Sequence, residues 1–263
     1  MVEWIAARAV IYTLALIRMS GLVVFMPFFD ETSHPVQLKA GLSALLAVIV
    51  TGMAEKSAGT LAGTEWTLGM YVWAAACELG TGAILGLVAN AVMQGVQLAG
   101  HIMGRNIGLA IANVIDPARD IEVSIISQFK MLLVLVIFVG LDGHHIFVLS
   151  MARSYEVVPV GGLSVTWPMV NRMIDGVGYL LVVGVELAAP VIAAGLLANV
   201  VLGFLGRTVP QMNIFIIGFP VRILLGFGVL LLMISLMAGV TEMLTARSKT
   251  ELETILRLMK PPV

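Results

Sequence analysis

Four ionisable side chains stand inside long apolar runs: Arg18, Glu78, Glu186 and Arg222. A charge at the middle of a bilayer costs about 2.5–3.5 kcal/mol on an insertion scale. The run around Glu186 can carry that cost, because 14 Leu, Ile or Val residues lie between positions 177 and 202. At about −0.3 to −0.6 kcal/mol each they contribute on the order of −4 to −8 kcal/mol. A carboxylate turned to lipid would cancel much of that gain. Two acids and two bases therefore suggest pairing, within the chain or across subunits, that sets helix register. An ion or proton path, or the lining of a wet pore, would use the same residue types.

Other reactive groups form no recognisable constellation. His144 and His145 stand beside Asp142, but adjacent residues on a helix diverge by about 100°, and no further His or Cys follows at ligand spacing. No metal site and no cofactor are expected. Cys77 is the single cysteine, which excludes an internal disulfide framework and a cysteine-based zinc site. Neither a nucleophile elbow nor a phosphate-binding loop occurs, so the chain is not expected to be an enzyme. The 16 methionines read as flexible core filler, although thioethers also suit a seal around a variable passenger.

The elements that must position these residues follow from composition. Of 263 residues, 59% are hydrophobic and 12% charged, with a mean hydropathy of +1.02. Soluble domains average roughly 25% charged residues, so much of this chain is expected to face lipid or other protein. A net charge of −1 gives nucleic acid nothing to bind. Six apolar stretches, near 4–29, 38–53, 66–99, 129–150, 177–204 and 214–240, approach or exceed the roughly 20 residues a helix needs to cross a bilayer. The second is short and the third over-long for an upright span. None alternates with period two, so the expected class is all-α and polytopic. The first stretch has no basic start or small-residue cleavage site and reads as a retained span. Cationic residues slightly favour cytoplasmic termini.

Three further features bear on function. Gly80, Gly82 and Gly86, like Gly104 and Gly108, include the spacing that lets helix backbones approach closely. The segment 101–128 is long for a connection and too apolar for disorder, with Ile107, Leu109, Ile111, Val114 and Ile115 ahead of the helix-breaking Asp116-Pro117. It reads either as a re-entrant, pore-lining loop or as an interfacial connector. From Glu242 onward, Leu252, Ile255, Leu256 and Met259 share one helix face. That face suits a helix on the membrane surface, one capping the bundle, or one docking a partner.

Together these motifs resemble a family. Arg18-Met-Ser-Gly21 with Pro27-Phe28, Pro35 and Lys39-Ala-Gly-Leu-Ser43 is similar to the start of FliR, the R subunit of the flagellar type III export gate. Gly104 to Leu109 with Asp116-Pro117, and Gly143-His144 with Pro159-Val-Gly161, continue the likeness. It is most specific in Gly203-Phe-Leu-Gly-Arg-Thr-Val-Pro-Gln211 and Asn213-Ile-Phe-Ile-Ile-Gly-Phe-Pro220, and it covers roughly residues 5–245. The resemblance implies a non-catalytic pore subunit that assembles with P and Q subunits into a helical gate in the inner membrane, at the flagellar basal body. Other export-apparatus membrane proteins would adjoin it, and unfolded flagellar proteins would pass through. It implies bent hairpins: residues 1–175 like the P subunit, 176–241 like the Q subunit, and 242–263 an amphipathic cytoplasmic tail. A plug would lie near 104–121, drawing on Ile107, Leu109, Ile111, Asn113, Val114, Ile115, Asp116 and Pro117. A homologous virulence gate and a self-contained proton-coupled transporter are the alternatives, the latter without a detectable internal repeat.

Overall fold

The computed structural model describes residues 2–26, 35–58, 67–108, 125–211 and 213–260. Seven helices and no strand occur among them: α1 (Val2–Phe25), α2 (Val36–Ala58), α3 (Leu68–Ile107), α4 (Ile125–Gly140), α5 (Gly143–Val157), α6 (Trp167–Thr208) and α7 (Ile214–Leu258). Five are long and apolar enough to cross a membrane, or six if α4 and α5 count as one broken span. The protein is an all-α, multi-pass membrane protein, as its apolar runs predict.

Helix ends depart from the apolar stretches in informative ways. α3, α6 and α7 span 40, 42 and 45 residues. At about 1.5 Å per residue each is roughly twice the ~30 Å of a hydrocarbon core. Nothing between 240 and 258 breaks a helix, so the amphipathic tail continues α7. The fourth stretch, a single run in the sequence, divides at Leu141 and Asp142. There Gly140 and Gly143 flank an aspartate in the left-handed region (φ 56°), a conformation open mainly to Gly, Asn and Asp. Pro190 and Pro220 sit inside α6 and α7; each removes one backbone donor, which membrane helices tolerate. α3 ends at Gly108, whose φ of 94° needs a residue without Cβ.

The described chain forms two compact units, each discontinuous in sequence. The first comprises residues 1–92, 142–177 and 245–263. Within it α2 buries Ser43, Ala47, Val50, Ala54 and Ala58, a stripe at helical spacing, and exposes the larger Leu45, Val48 and Ile49. Small residues inward and bulky ones outward is the arrangement of helices whose solvent is lipid, where close backbone contact drives association. A cluster of Val158, Met169, Ile255 and Met259 takes up the apolar face of the tail. The backbone N–H of Ser164 and the Thr166 hydroxyl donate to the carbonyls of Met259 and Leu258 at its end.

The second unit comprises residues 93–141 and 178–244. Its core draws Val96, Ala99 and Met103 from α3, Val134 and Phe138 from α4, Val183, Val191 and Ala198 from α6, and Met237 from α7. Gly100 lies against the Ser127 backbone, and Gly184 against Leu98. Much of the outer surface of α6 and α7 is large and apolar: Val200, Phe204, Leu224 and Leu232 are each at least 70% exposed.

Candidate functional site

Among the described residues of the first unit the Arg18 guanidinium is fully enclosed, 0% exposed, against Glu78, 1% exposed. Glycines make this possible. The backbones of α1 and α3 approach so closely that a Cβ on Gly82 would overlap the Arg18 carbonyl. One on Gly21 would lie 2.8 Å from the Leu79 carbonyl oxygen, and one on Gly86 would lie 2.9 Å from that of Leu22. Such contact brings Arg18 on α1 beside Glu78 on α3, 60 residues apart in sequence.

The pairing is bidentate. Arg18 Nε donates to Glu78 Oε2 at 2.6 Å and Nη2 to Oε1 at 2.8 Å, the fork geometry that makes guanidinium–carboxylate pairs strong. Nη1 donates to Ser154 Oγ at 2.9 Å, and Nη2 also to the Val158 carbonyl at 3.2 Å. Four of the five N–H groups a guanidinium offers are thereby engaged. Glu78 Oε1 accepts a further bond from the Gly161 N–H at 3.0 Å, where Gly161 adopts φ 73°. The Tyr155 ring completes the enclosure, its centroid 4.0 Å from Arg18 Cζ. One guanidinium thus ties α1, α3, α5 and the 158–161 turn together. Hydrogen bonds to both partners offset the cost of taking the two charges out of water, and both carboxylate oxygens are engaged.

Glu186 and Arg222, expected as the other intramembrane charges, lie in the second unit and do not pair among the described residues. Glu186 on α6 is exposed. Arg222 on α7 is half-buried, and its Nε is enclosed without a hydrogen-bond partner among the described residues. Of the candidate plug residues, Ile107 is buried at the end of α3, against Gly226. Leu109, Ile111, Asn113, Val114, Ile115, Asp116 and Pro117 lie outside the described residues.

Several partners escape sequence reasoning. Ser154, Tyr155 and the Val158 carbonyl have no distinguishing type or spacing, and only the Pro159–Gly161 motif hinted that this turn matters. Lys130 is 3% exposed, with Nζ 3.2 Å from Met103 Sδ. Its place at the start of an apolar run was the available signal. Outer ion pairs join Arg8 to Glu55, Arg153 to Glu253 and Arg172 to Glu251.

The profile of the family described as Bacterial export proteins, family 1, matches residues 9–248. Similar proteins include the flagellar biosynthetic protein FliR of Bacillus subtilis (strain 168), 27% identical over 85% of this chain and 86% of the relative. That of Escherichia coli (strain K12) is 26% identical over 88% and 87%. The Caulobacter vibrioides protein of the same name is 27% identical over 86% and 89%.

Proposed function

Since this chain belongs to the bacterial export proteins, family 1, we propose that it serves flagellar protein export as a non-catalytic pore subunit of the type III export gate. In this reading it joins P and Q subunits in the inner membrane at the basal body, enclosing a conduit for unfolded flagellar proteins. The observation that carries it is the family match across residues 9–248, together with likeness over 85–88% of the chain to proteins named for flagellar biosynthesis. Those names favour the flagellar system over a virulence gate.

The chain's own physics supports the reading. Glu186 is exposed beside Val182 and Val185, and a carboxylate in that setting calls for a partner chain or pore water more than for lipid. Arg222, with its enclosed unpartnered Nε, calls for an acceptor from a sister chain. The buried Arg18–Glu78 pair locks α1 and α3 together. The parts 1–175 and 176–241 correspond in this scheme to P-like and Q-like regions, and 104–121 to a plug in the pore.

Purification from native membranes tests the proposal. The chain is expected to carry small apolar partners in unequal stoichiometry, read by native mass measurement of the complex. A stable, monodisperse monomer that supports normal export would overturn it. For the plug, deleting residues 110–117 is expected to make the assembled gate leak small ions; unchanged permeability removes that role.

A further inference from the structure

We propose that Asp142, His144 and His145, at the turn leading into α5, bind one divalent transition-metal ion. One potential ligand atom from each side chain lies within 4.8 Å of the others. Asp142 occupies the N-cap position of α5 in a left-handed conformation, yet its carboxylate makes no capping bond, which is what an N-cap aspartate ordinarily does. The carboxylate instead turns to His145, with Oδ1 3.4 Å from Nδ1. Two ligands held at about 2.0–2.1 Å from a tetrahedral ion stand about 3.4 Å apart, so this edge already has the dimension of a shared metal.

His144 supplies the independent observation. Its ring centroid lies 4.4 Å from that of His145, and its Nδ1 is enclosed with no hydrogen-bond partner among the described residues. A polar nitrogen left so is costly, and a metal would satisfy it. Although adjacent residues diverge along a helix, these two rings lie close, with their planes inclined by 38°. Side chains of Asp142 and His145 are more than 70% exposed and free to rotate inward onto an ion. Two imidazoles and one carboxylate suit Zn²⁺, Co²⁺ or Ni²⁺ rather than Ca²⁺ or Mg²⁺, and leave a position open for water or another ligand. The positive end of the α5 dipole opposes a cation; the Asp142 charge offsets it. An Asp142–His145 hydrogen bond alone would account for two of the three residues and leave His144 Nδ1 unserved. This proposal does not depend on the export role.

Competition for Zn²⁺ against a chromogenic chelator, with full-length tag-free protein in lipid nanodiscs, tests it. The expected result is one Zn²⁺ held per chain, with Asp142→Asn and His145→Asn each weakening binding at least tenfold. His101→Gln, on α3 and outside the cluster, is expected to change affinity less than twofold. Metal-free unfolding midpoints of the variants, expected to match the parent, separate ligand loss from misfolding. No Zn²⁺ held above the chelator, or retention unchanged in both Asp142→Asn and His145→Asn, overturns the site.

Discussion

A guanidinium removed from water survives only if its N–H groups find acceptors, and Arg18 finds Glu78, Ser154 and the Val158 carbonyl. Breaking such a pair from one side leaves a bare buried charge, which costs about 3–5 kcal/mol. Glu78→Gln is therefore expected to lower the unfolding midpoint of the detergent-solubilised protein sharply. Replacing both members, as Arg18→Met with Glu78→Leu, is expected to recover a large part of that loss, because no lone charge remains. Equal damage in the single and double variants would show that the pair is not coupled. Tyr155→Leu removes the ring over the guanidinium, worth about 2 kcal/mol when desolvated, and should fall between the parent and Glu78→Gln in the same melt. Glu78 could be singled out from its apolar run, but the groups that satisfy Arg18 are ordinary residues selected by position in space.

At the scale of elements, the glycines divide into two kinds that look alike in sequence. Gly82 abuts the backbone of Arg18, whereas a Cβ at Gly41 or Gly52 on α2 would meet nothing within 4 Å. Gly82→Ala must push α1 from α3 and pull Arg18 off Glu78, so it is expected to destabilise the fold. Gly41→Ala and Gly52→Ala add only helix propensity, and a gain of roughly 0.5–1 kcal/mol is expected. Thermal unfolding of the three variants side by side checks this; equal behaviour would mean that α1 and α3 are not in backbone contact. The Gly82–Gly86 spacing signalled packing but named no partner. That the partner is α1, through Gly21, Leu22 and Arg18, required the folded chain. The division of the fourth apolar run into α4 and α5 was written in Gly140-Leu-Asp-Gly143, yet hydropathy alone runs straight across it.

For the whole molecule, the decisive quantity is apolar surface left exposed among the described residues. α6 and α7 present Val200, Phe204, Leu224 and Leu232 outward, and Glu186 shares α6 with the first two. If sister chains cover Glu186, Glu186→Ala is expected to lower the yield of assembled complex while complexes that do form still export. Intact complexes with abolished export would assign Glu186 to the transport path. The membrane class, the all-α architecture, the approximate number of spans and the family were determined by the sequence itself. Hydropathy and backbone hydrogen bonding admit few solutions in lipid, and the 203–220 motif is specific. Which charges meet, which glycines touch, and that Lys130 is buried were decided only by tertiary structure. Pairing depends on the relative rotation and depth of helices far apart in the chain, and the 3.6-residue periodicity of one helix carries no information about its neighbour.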